Sequence, residues 1–318
     1  MRTLMILAIA SGLLAHSAKA QDCAELCDPH WWKVASLADV NAMIAVSDIN
    51  ARDENDRTPL IWAARHGNGE MIAALLEADP EIDAFDRWKT PALIHAASNG
   101  TAETLKALIE ADADVNARDW KDRNALLEVV GYASLDIVQA LLDGGIEVNT
   151  RDPNLGDTPL TIASASNVDE VVAALLAAGA DIDARDGKEA TPLMLAVLTN
   201  RSDNALALLE AGPDVNATNE NGETALMYAA ATGQVRIVSE LIDVGANLDA
   251  QNLRAEVTAL FLAAVYGHAG VVNVLLDAGA DASATTRDGM TAFDMAEKNG
   301  ALAGSDAYAR LQSLAAED

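Results

Sequence analysis

A single phrase recurs along this chain at an almost constant spacing, and it restricts the possible folds more than any other feature. Five versions of it are RTPLIWAARHGN, DTPLTIASASNV, ATPLMLAVLTNR, ETALMYAAATGQ and VTALFLAAVYGH. Successive cap positions of the phrase are separated by 33 or 34 residues. These positions are Thr58, Pro91, Asn124, Thr158, Thr191, Thr224, Thr258 and Thr291. So regular a period predicts a stack of similar supersecondary units instead of one globular core.

Each unit is predicted to hold two short helices. The Thr is a good N-cap, and the Pro that often follows it suits the first helical position, where its missing N–H costs nothing. Leu and Ala form a small-residue face, a Leu-Leu pair ends the second helix, and Asp/Asn-rich residues form a hairpin to the next cap. Glycine recurs in phase where the second helix needs a left-handed residue, at Gly145, Gly179, Gly212, Gly245 and Gly279. The sequence therefore predicts an all-α solenoid of stacked helix-turn-helix repeats with β-hairpin-like loops.

The units closely resemble the ankyrin repeat. The motifs TPL, Ala-Ala, Leu-Leu, GAD and VNARD all occur, and the resemblance covers roughly residues 32–300. Some positions depart from the family pattern. No unit has His after TPL, so the family's hydrogen bond within that turn is not expected. Asp79 and Asp112 replace the helix-ending Gly, Asn124 replaces a Thr cap, and the extra residue in TPALIHAA makes Thr90 an alternative cap to Pro91.

Four regions are predicted from this pattern. Residues 1–20 are a signal peptide, residues 21–57 an N-terminal capping half-repeat, residues 58–290 seven ankyrin repeats, and residues 291–318 a C-terminal capping repeat. Trp31 and Trp32 lie ahead of the first complete repeat, and we expect them to seal the first layer of the stack.

The first twenty residues predict export. A cationic start and an apolar run lead to Ala18-Lys19-Ala20, a small-x-small cleavage site. The apolar run is shorter than the roughly 20 residues of a bilayer-spanning helix. We therefore expect cleavage after Ala20 and a periplasmic or secreted protein. In an oxidising compartment Cys23 and Cys27 can form a disulfide, although their spacing is awkward on a regular helix, and both outcomes stay open.

The charge balance restricts the partners. The chain has 49 acidic and 21 basic residues and a formal charge of −28. That balance opposes nucleic acid and anionic lipid as general partners. We expect a monomer with neither nucleic-acid binding nor membrane insertion.

No catalytic or cofactor motif is apparent. The histidines after the signal peptide fall in different units, and His268 is expected to make a local hydrogen bond. The many Asp residues recur at hairpin positions, where Asp organises turns. We therefore predict that the protein is not an enzyme and has neither a metal nor another cofactor.

The ankyrin resemblance implies a concave side, lined by hairpin tips and first helices, where the family binds partners. Tryptophan, tyrosine and arginine are over-represented in binding hot spots, and polar tips have no structural need for an indole. The candidate partner-binding residues in those phases are Arg52, Arg57, Arg65, His66, Phe85, Arg87, Trp88, Arg118, Trp120, Lys121, Arg123 and Tyr132. The alternative is that these cations only support and solvate the tips.

The predicted function is recognition of another protein. Three other functions stay open: an inhibitor or immunity-type protein for an exported enzyme or toxin, an accessory factor for a periplasmic enzyme such as catalase, and a binder of carbohydrate or anionic polymer.

Overall fold

The structure, a computed structural model, describes residues 24–66 and 68–316. They form two compact units that divide after Asp119. The described residues contain 18 α-helices, one short 3-10 helix at Ala24–Cys27 and no strand, with one isolated antiparallel bridge between Phe85 and Pro91. The predicted all-α fold is confirmed. None of the helices described is both long enough and apolar enough to cross a membrane.

The first unit contains three helix pairs, the first of which includes one very short helix. Its helices are α1 Pro29–Trp32, α2 Leu37–Ile44, α3 Pro59–His66, α4 Gly69–Leu76, α5 Ala92–Asn99 and α6 Ala102–Glu110. Helix α3 packs on α5, and α4 packs on α6. Each helix therefore packs against its counterpart in the next repeat, as expected for a solenoid.

The second unit contains six helix pairs stacked in the same way. They are α7 Ala125–Val129, α8 Leu135–Asp143, α9 Pro159–Ala165, α10 Asp169–Ala177, α11 Pro192–Leu198, α12 Ser202–Glu210, α13 Ala225–Thr232, α14 Val235–Asp243, α15 Ala259–Tyr266, α16 Ala269–Asp277, α17 Ala292–Asn299 and α18 Asp306–Ala315. The core between layers consists mainly of leucine and alanine, whose small volume lets the helices approach closely. How the repeats divide into caps and body stays a prediction.

Side-chain caps start the first helix of most repeats. A side-chain oxygen accepts the backbone N–H three residues further on at Thr58, Asn124, Thr158, Thr191, Thr224, Thr258 and Thr291. Helix α5 differs, because its N-cap is Pro91 and no side chain caps it. The Thr90 hydroxyl instead donates to the carbonyl of Trp88 within the hairpin. The alternative that Thr90 is the cap is therefore wrong.

The two helix ends that lack glycine keep the glycine conformation. The five predicted glycines have φ values of 78° to 93°, in the left-handed region. Asp79 and Asp112 have φ values of 54° and 64° at the equivalent positions. Aspartate tolerates this region better than most residues, so the substitution leaves the backbone path unchanged.

An Asp or Asn side chain closes most of the described hairpins, and the Thr286 hydroxyl takes this place in the last one. In the second repeat the Asp86 N–H donates to the Thr90 carbonyl, and Asp86 Oδ1 accepts the N–H groups of Trp88 and Thr90. Equivalent bonds are made by Asp53, Asp186, Asn219 and Asn252. These carboxylates and amides organise turns, as the sequence predicted.

A second set of Asp and Asn side chains joins neighbouring repeats. Asn50 Oδ1 accepts the N–H of Glu81 at 2.8 Å, and Asp183 Oδ1 accepts the N–H of Asp214 at 2.9 Å. Asn149, Asn216 and Asp249 make the same bond to the repeat that follows them. The acidic loops therefore hold the layers in register.

The first described residues pack around one tryptophan. Trp32 is 2% exposed, and its Nε1 donates to the Leu26 carbonyl at 2.8 Å. Trp31 is half-buried, and its ring meets the Trp32 ring edge-on at 5.1 Å. Trp32 is thus buried as expected of a residue that seals the first layer, whereas Trp31 is only half-buried. Cys27 is disulfide-bonded, but Cys23 and the predicted signal peptide lie outside the described residues, so their roles stay predictions.

Candidate functional site

Three arginines and two tryptophans of the first unit form an Arg–Trp cluster, made up of Arg57, Trp62, Arg65, Arg87 and Trp88. The Arg57 Cζ lies 4.7 Å from the centroid of the Trp62 ring and 5.4 Å from that of the Trp88 ring. Arg87 lies 5.0 Å from the Trp88 ring, and Arg65 lies 5.7 Å from the Trp62 ring. Arg57 thus connects the indole of Trp62 in helix α3 with the indole of Trp88 on the hairpin that follows.

Trp62 forms the floor of this cluster. It is buried in α3, and its Nε1 donates to Asp53 Oδ2 at 3.1 Å. The imidazole of His66, one turn further along α3, stacks on the Trp62 ring at 5.8 Å. Trp62 was predicted from the sequence only to lie in a helix and was not among the candidate binding residues. Its position four residues after the Thr58 cap was the signal that could have identified it.

That position links helix to hairpin in two other repeats. His95 Nε2 lies 3.0 Å from Asp86 Oδ2, and the Tyr228 hydroxyl accepts from Asn219 Nδ2 at 2.8 Å. The absence of His after TPL therefore does not leave these hairpins unattached to the first helix. Burial alone would raise the pKa of Asp86, but the bonds from His95 and the Thr90 N–H hold that pKa below its ordinary value.

Two guanidiniums of the Arg–Trp cluster lie without a direct ion pair in the part of the chain that the structure describes. Neither the Arg57 nor the Arg65 guanidinium has an ion-pair or hydrogen-bond partner among the described residues, and the Nε atoms of both are buried. Burial and the nearby Arg57 lower the pKa of Arg65, against the opposing effect of Asp86. Burial, Arg65 and Lys33 also lower the pKa of His66, which favours its neutral form.

Several other arginines are paired with acids. The described pairs of this kind are Arg52–Glu81, Arg123–Glu128, Arg185–Glu189, Arg287–Glu256 and Arg310–Asp277. In a chain with 49 acidic residues, such partners are easily supplied. Among the described residues, Arg57 and Arg65 differ from these arginines because they have no acidic partner although their Nε atoms are buried.

Arg52 has a mainly structural role. Its Nη1 donates to the Asp56 carbonyl within its own hairpin and, at 3.1 Å, to the Phe85 carbonyl of the next hairpin. Arg185 makes the corresponding bonds to the carbonyls of Glu189 and Thr218. For Arg52 the structure thus favours the alternative that the cation supports the tip.

The other candidates in the first unit are exposed to different degrees. Trp88 is 40% exposed, and Phe85 is also exposed at the tip of the same hairpin. Arg87 is exposed and donates to the Asn55 side chain of the preceding hairpin. Arg118, near the end of this unit, is half-buried.

Four candidates lie in the second unit. Trp120 is 61% exposed, and the Lys121 Nζ lies 5.3 Å from its ring centroid. Arg123 is paired with Glu128, and Tyr132 is exposed. The candidates are therefore divided between the two units, and all members of the Arg–Trp cluster belong to the first unit.

Sequence reasoning missed two exposed leucines, Leu155 and Leu253. They lie on the hairpins that contain an extra residue, and each hairpin is tied to a neighbouring one. The Leu155 carbonyl accepts the Gly187 N–H, and the Leu253 N–H donates to the Asn221 carbonyl. The two 34-residue steps in the repeat were the signal that could have revealed these longer tips.

Outside the cluster, His268 makes the structural bond that the sequence predicted. His268 Nε2 lies 3.0 Å from the Ala231 carbonyl of the preceding repeat, which confirms its local hydrogen bond. Where the structure describes the chain, no group of three or more His, Cys, Asp or Glu side chains is arranged to hold a metal ion.

Comparison with known families settles what kind of chain this is. The family model described as Ankyrin repeats (3 copies) matches residues 34–119, 126–219 and 193–288. The chain is an ankyrin-repeat protein. The resemblance inferred from the repeated phrase is thus confirmed, whereas no curated protein matches the chain. Ankyrin repeats are generally protein–protein interaction modules and are typically non-enzymatic.

Proposed function

We propose that this ankyrin-repeat protein is an exported, non-enzymatic module that recognises a partner protein through hairpin tips and first helices of its first three repeats. The observation that carries the proposal is Trp88, an indole that stays 40% exposed on a hairpin tip while two guanidiniums lie over its ring. Export is supported by the cleavage motif that ends at Ala20.

The tips suit recognition because they are already ordered. Asp53 and Asp86 fix the backbone of two successive hairpins, and Arg52 joins these hairpins. Binding to a preorganised surface costs little conformational entropy, so more of the contact energy appears as affinity. Inhibition of an exported enzyme and assistance to a periplasmic enzyme are both compatible with such binding. The effect on the activity of the captured partner distinguishes them.

We expect Trp88→Ala and Trp120→Ala each to weaken binding of the captured partner by about 2 kcal/mol or more, roughly 30-fold, as truncation of a hot-spot residue does. The melting temperature should hardly change, because an exposed tip residue contributes little to the core. The measurement is capture from an envelope extract, followed by titration of the purified partner.

Tyr266→Ala is the matched control, because Tyr266 is an exposed aromatic residue outside the predicted site. It should leave the affinity unchanged. Equal affinities for the native protein and both tryptophan variants would show that the site has been misplaced.

Export predicts a defined mature end. N-terminal analysis of protein from the envelope fraction should begin at Gln21, because Ala18 and Ala20 fit the small-residue positions of a cleavage site. Replacing both alanines with leucine should leave the unprocessed chain. Native protein that keeps Met1 in the cytoplasmic fraction would contradict export.

A further inference from the structure

We propose that the Arg–Trp cluster binds a side-chain carboxylate in an acidic peptide segment of the partner. This inference rests on the proposed function, since it names the chemistry that the same surface recognises. Trp88 packs against an aliphatic residue beside the acidic one, while Arg57 and Arg65 receive the carboxylate.

The unbalanced charge is the first reason. Two half-buried guanidiniums, neither of which has an acidic partner among the described residues, lie close enough for Arg57 to disfavour the charged form of Arg65. Holding like charges together in a partly desolvated place is unfavourable for the free protein. A carboxylate supplied by a partner removes that cost and adds charge-assisted hydrogen bonds.

The orientation of the cations is the second reason. An arginine that packs on an aromatic face keeps its N–H groups free to bond in the plane of the guanidinium. Arg57 lies over both indoles, and Arg87 is held by the Trp88 ring and the Asn55 side chain. These contacts restrict the side chains before the ligand arrives, so binding orders fewer rotamers.

Two acids beside the cluster, Asp53 and Asp86, are already engaged in other hydrogen bonds. Asp53 accepts two backbone N–H groups at Oδ1 and the Trp62 indole at Oδ2. Asp86 accepts the hairpin N–H groups at Oδ1 and contacts His95 at Oδ2. Both carboxylates hold their hairpins closed, which leaves the guanidiniums available to a ligand.

The overall charge favours a short acidic peptide over a polyanion. A nucleic acid or a long anionic polysaccharide has to approach a protein of formal charge −28, and its extended charge is repelled by most of the surface. A peptide with a few carboxylates contacts the local positive cluster and little else. Beyond a Debye length of about 8 Å at physiological salt, the remaining acids are largely screened.

The test uses the full-length mature protein and two fluorescein-labelled peptides of alternating glutamate and leucine, one of them with glutamine in place of every glutamate. Fluorescence anisotropy should show that the glutamate peptide binds more tightly and that salt weakens its binding. Arg57→Gln and Arg65→Gln should each weaken this binding by about tenfold or more, since each removes one charged hydrogen-bonding group.

Arg254→Gln is the control, because it removes the same charge from an exposed arginine of the second unit. It should leave peptide affinity unchanged. Thermal unfolding gives a second readout. If Arg65 is held for a ligand, Arg65→Gln should keep or raise the melting temperature of the free protein, whereas a structural arginine would lower it.

Three results would overturn the inference: equal binding of both peptides, native affinity in Arg57→Gln and Arg65→Gln, or tighter binding of duplex DNA or heparin oligosaccharide than of the glutamate peptide. The captured partner separates this inference from the proposed function. If its binding needs Trp88 but not Arg57 or Arg65, the carboxylate site is wrong and the proposed function stands. A different result would be that Arg57→Gln and Arg65→Gln weaken binding of the glutamate peptide, while the captured partner binds Trp88→Ala and Trp120→Ala with native affinity. In that case the proposed partner surface is wrong and the carboxylate site stands.

Discussion

Replacing Asp86 with alanine is expected to lower the free energy of unfolding by about 3 to 5 kcal/mol, because three partly buried groups each lose their bonding partner at a cost of about 1 to 3 kcal/mol. The Asp86 carboxylate is fully buried and accepts the N–H groups of Trp88 and Thr90 and contacts His95 Nε2 at 3.0 Å. Its loss opens the hairpin and detaches it from α5. Urea unfolding of the native protein and Asp86→Ala, followed by far-UV circular dichroism, measures the difference.

Asp83→Ala is the matched control in the same loop. Asp83 is exposed and accepts one N–H, that of Asp114 at 2.9 Å. We expect a loss of about 1 kcal/mol, the usual net value of a single hydrogen bond. Similar losses for the two variants would contradict the special role of the buried carboxylate.

Asp86 also predicts how the free energy of unfolding depends on pH. The pKa of Asp86 is lower in the folded protein than its ordinary value, so the folded state binds this proton less readily than the unfolded chain does. The stability that Asp86 contributes is therefore fully present above the ordinary carboxyl pKa and is lost as pH falls through the lowered one. Across that window the difference in stability between the native protein and Asp86→Ala should shrink as the pH falls. A constant difference would mean that the charge of Asp86 makes no contribution.

Replacing Trp32 with alanine should cost about 3 to 5 kcal/mol, the range for truncating a buried tryptophan. Trp32 is 2% exposed, and its indole N–H is bonded to the Leu26 carbonyl. The variant loses core volume and leaves that carbonyl without its donor. Because solenoid layers are stabilised mainly by their neighbours, we expect the first unit to unfold at lower urea than the rest.

Trp120→Ala provides the comparison for this variant. Trp120 is 61% exposed, so its removal should change the free energy of unfolding by about 0.5 kcal/mol or less. Thermal and urea unfolding of both variants distinguish a sealing tryptophan from a tip tryptophan. Native-like stability of Trp32→Ala would show that the cap does not depend on this ring.

Much of the fold was predictable because the signals are local. The Thr caps, the left-handed glycines and the Asp/Asn turns each act within a few residues, and their repetition at a fixed period implies the stacking. Asp79 and Asp112 show how robust this is, since both take the left-handed conformation of the glycine they replace. The cap of α5 was ambiguous, because the Thr90 hydroxyl could either cap the helix or bond within the hairpin. In the structure it donates to the Trp88 carbonyl of the hairpin.

The candidate site was predictable in part. Phase in the repeat identified the tip residues, including Trp88 and Trp120, but it could not distinguish Arg52 from Arg57. The structure shows Arg52 bonded to the next hairpin and paired with Glu81, whereas Arg57 lies over two indoles. Two arginines in the same hairpin therefore have different roles, which their residue type does not reveal.

The repeat could be read from the sequence alone, together with its helix pairs, its hairpin chemistry and its family, because each depends on neighbouring residues and on a period that can be counted. Which charges have a partner depends instead on how the repeats pack. Trp88, which Arg57 contacts, lies 31 residues further along the chain, and it approaches only when successive hairpins stack. Whether a cation meets an acid, a carbonyl or an indole depends on a packing distance of a few ångströms between repeats, which no pattern within one repeat encodes.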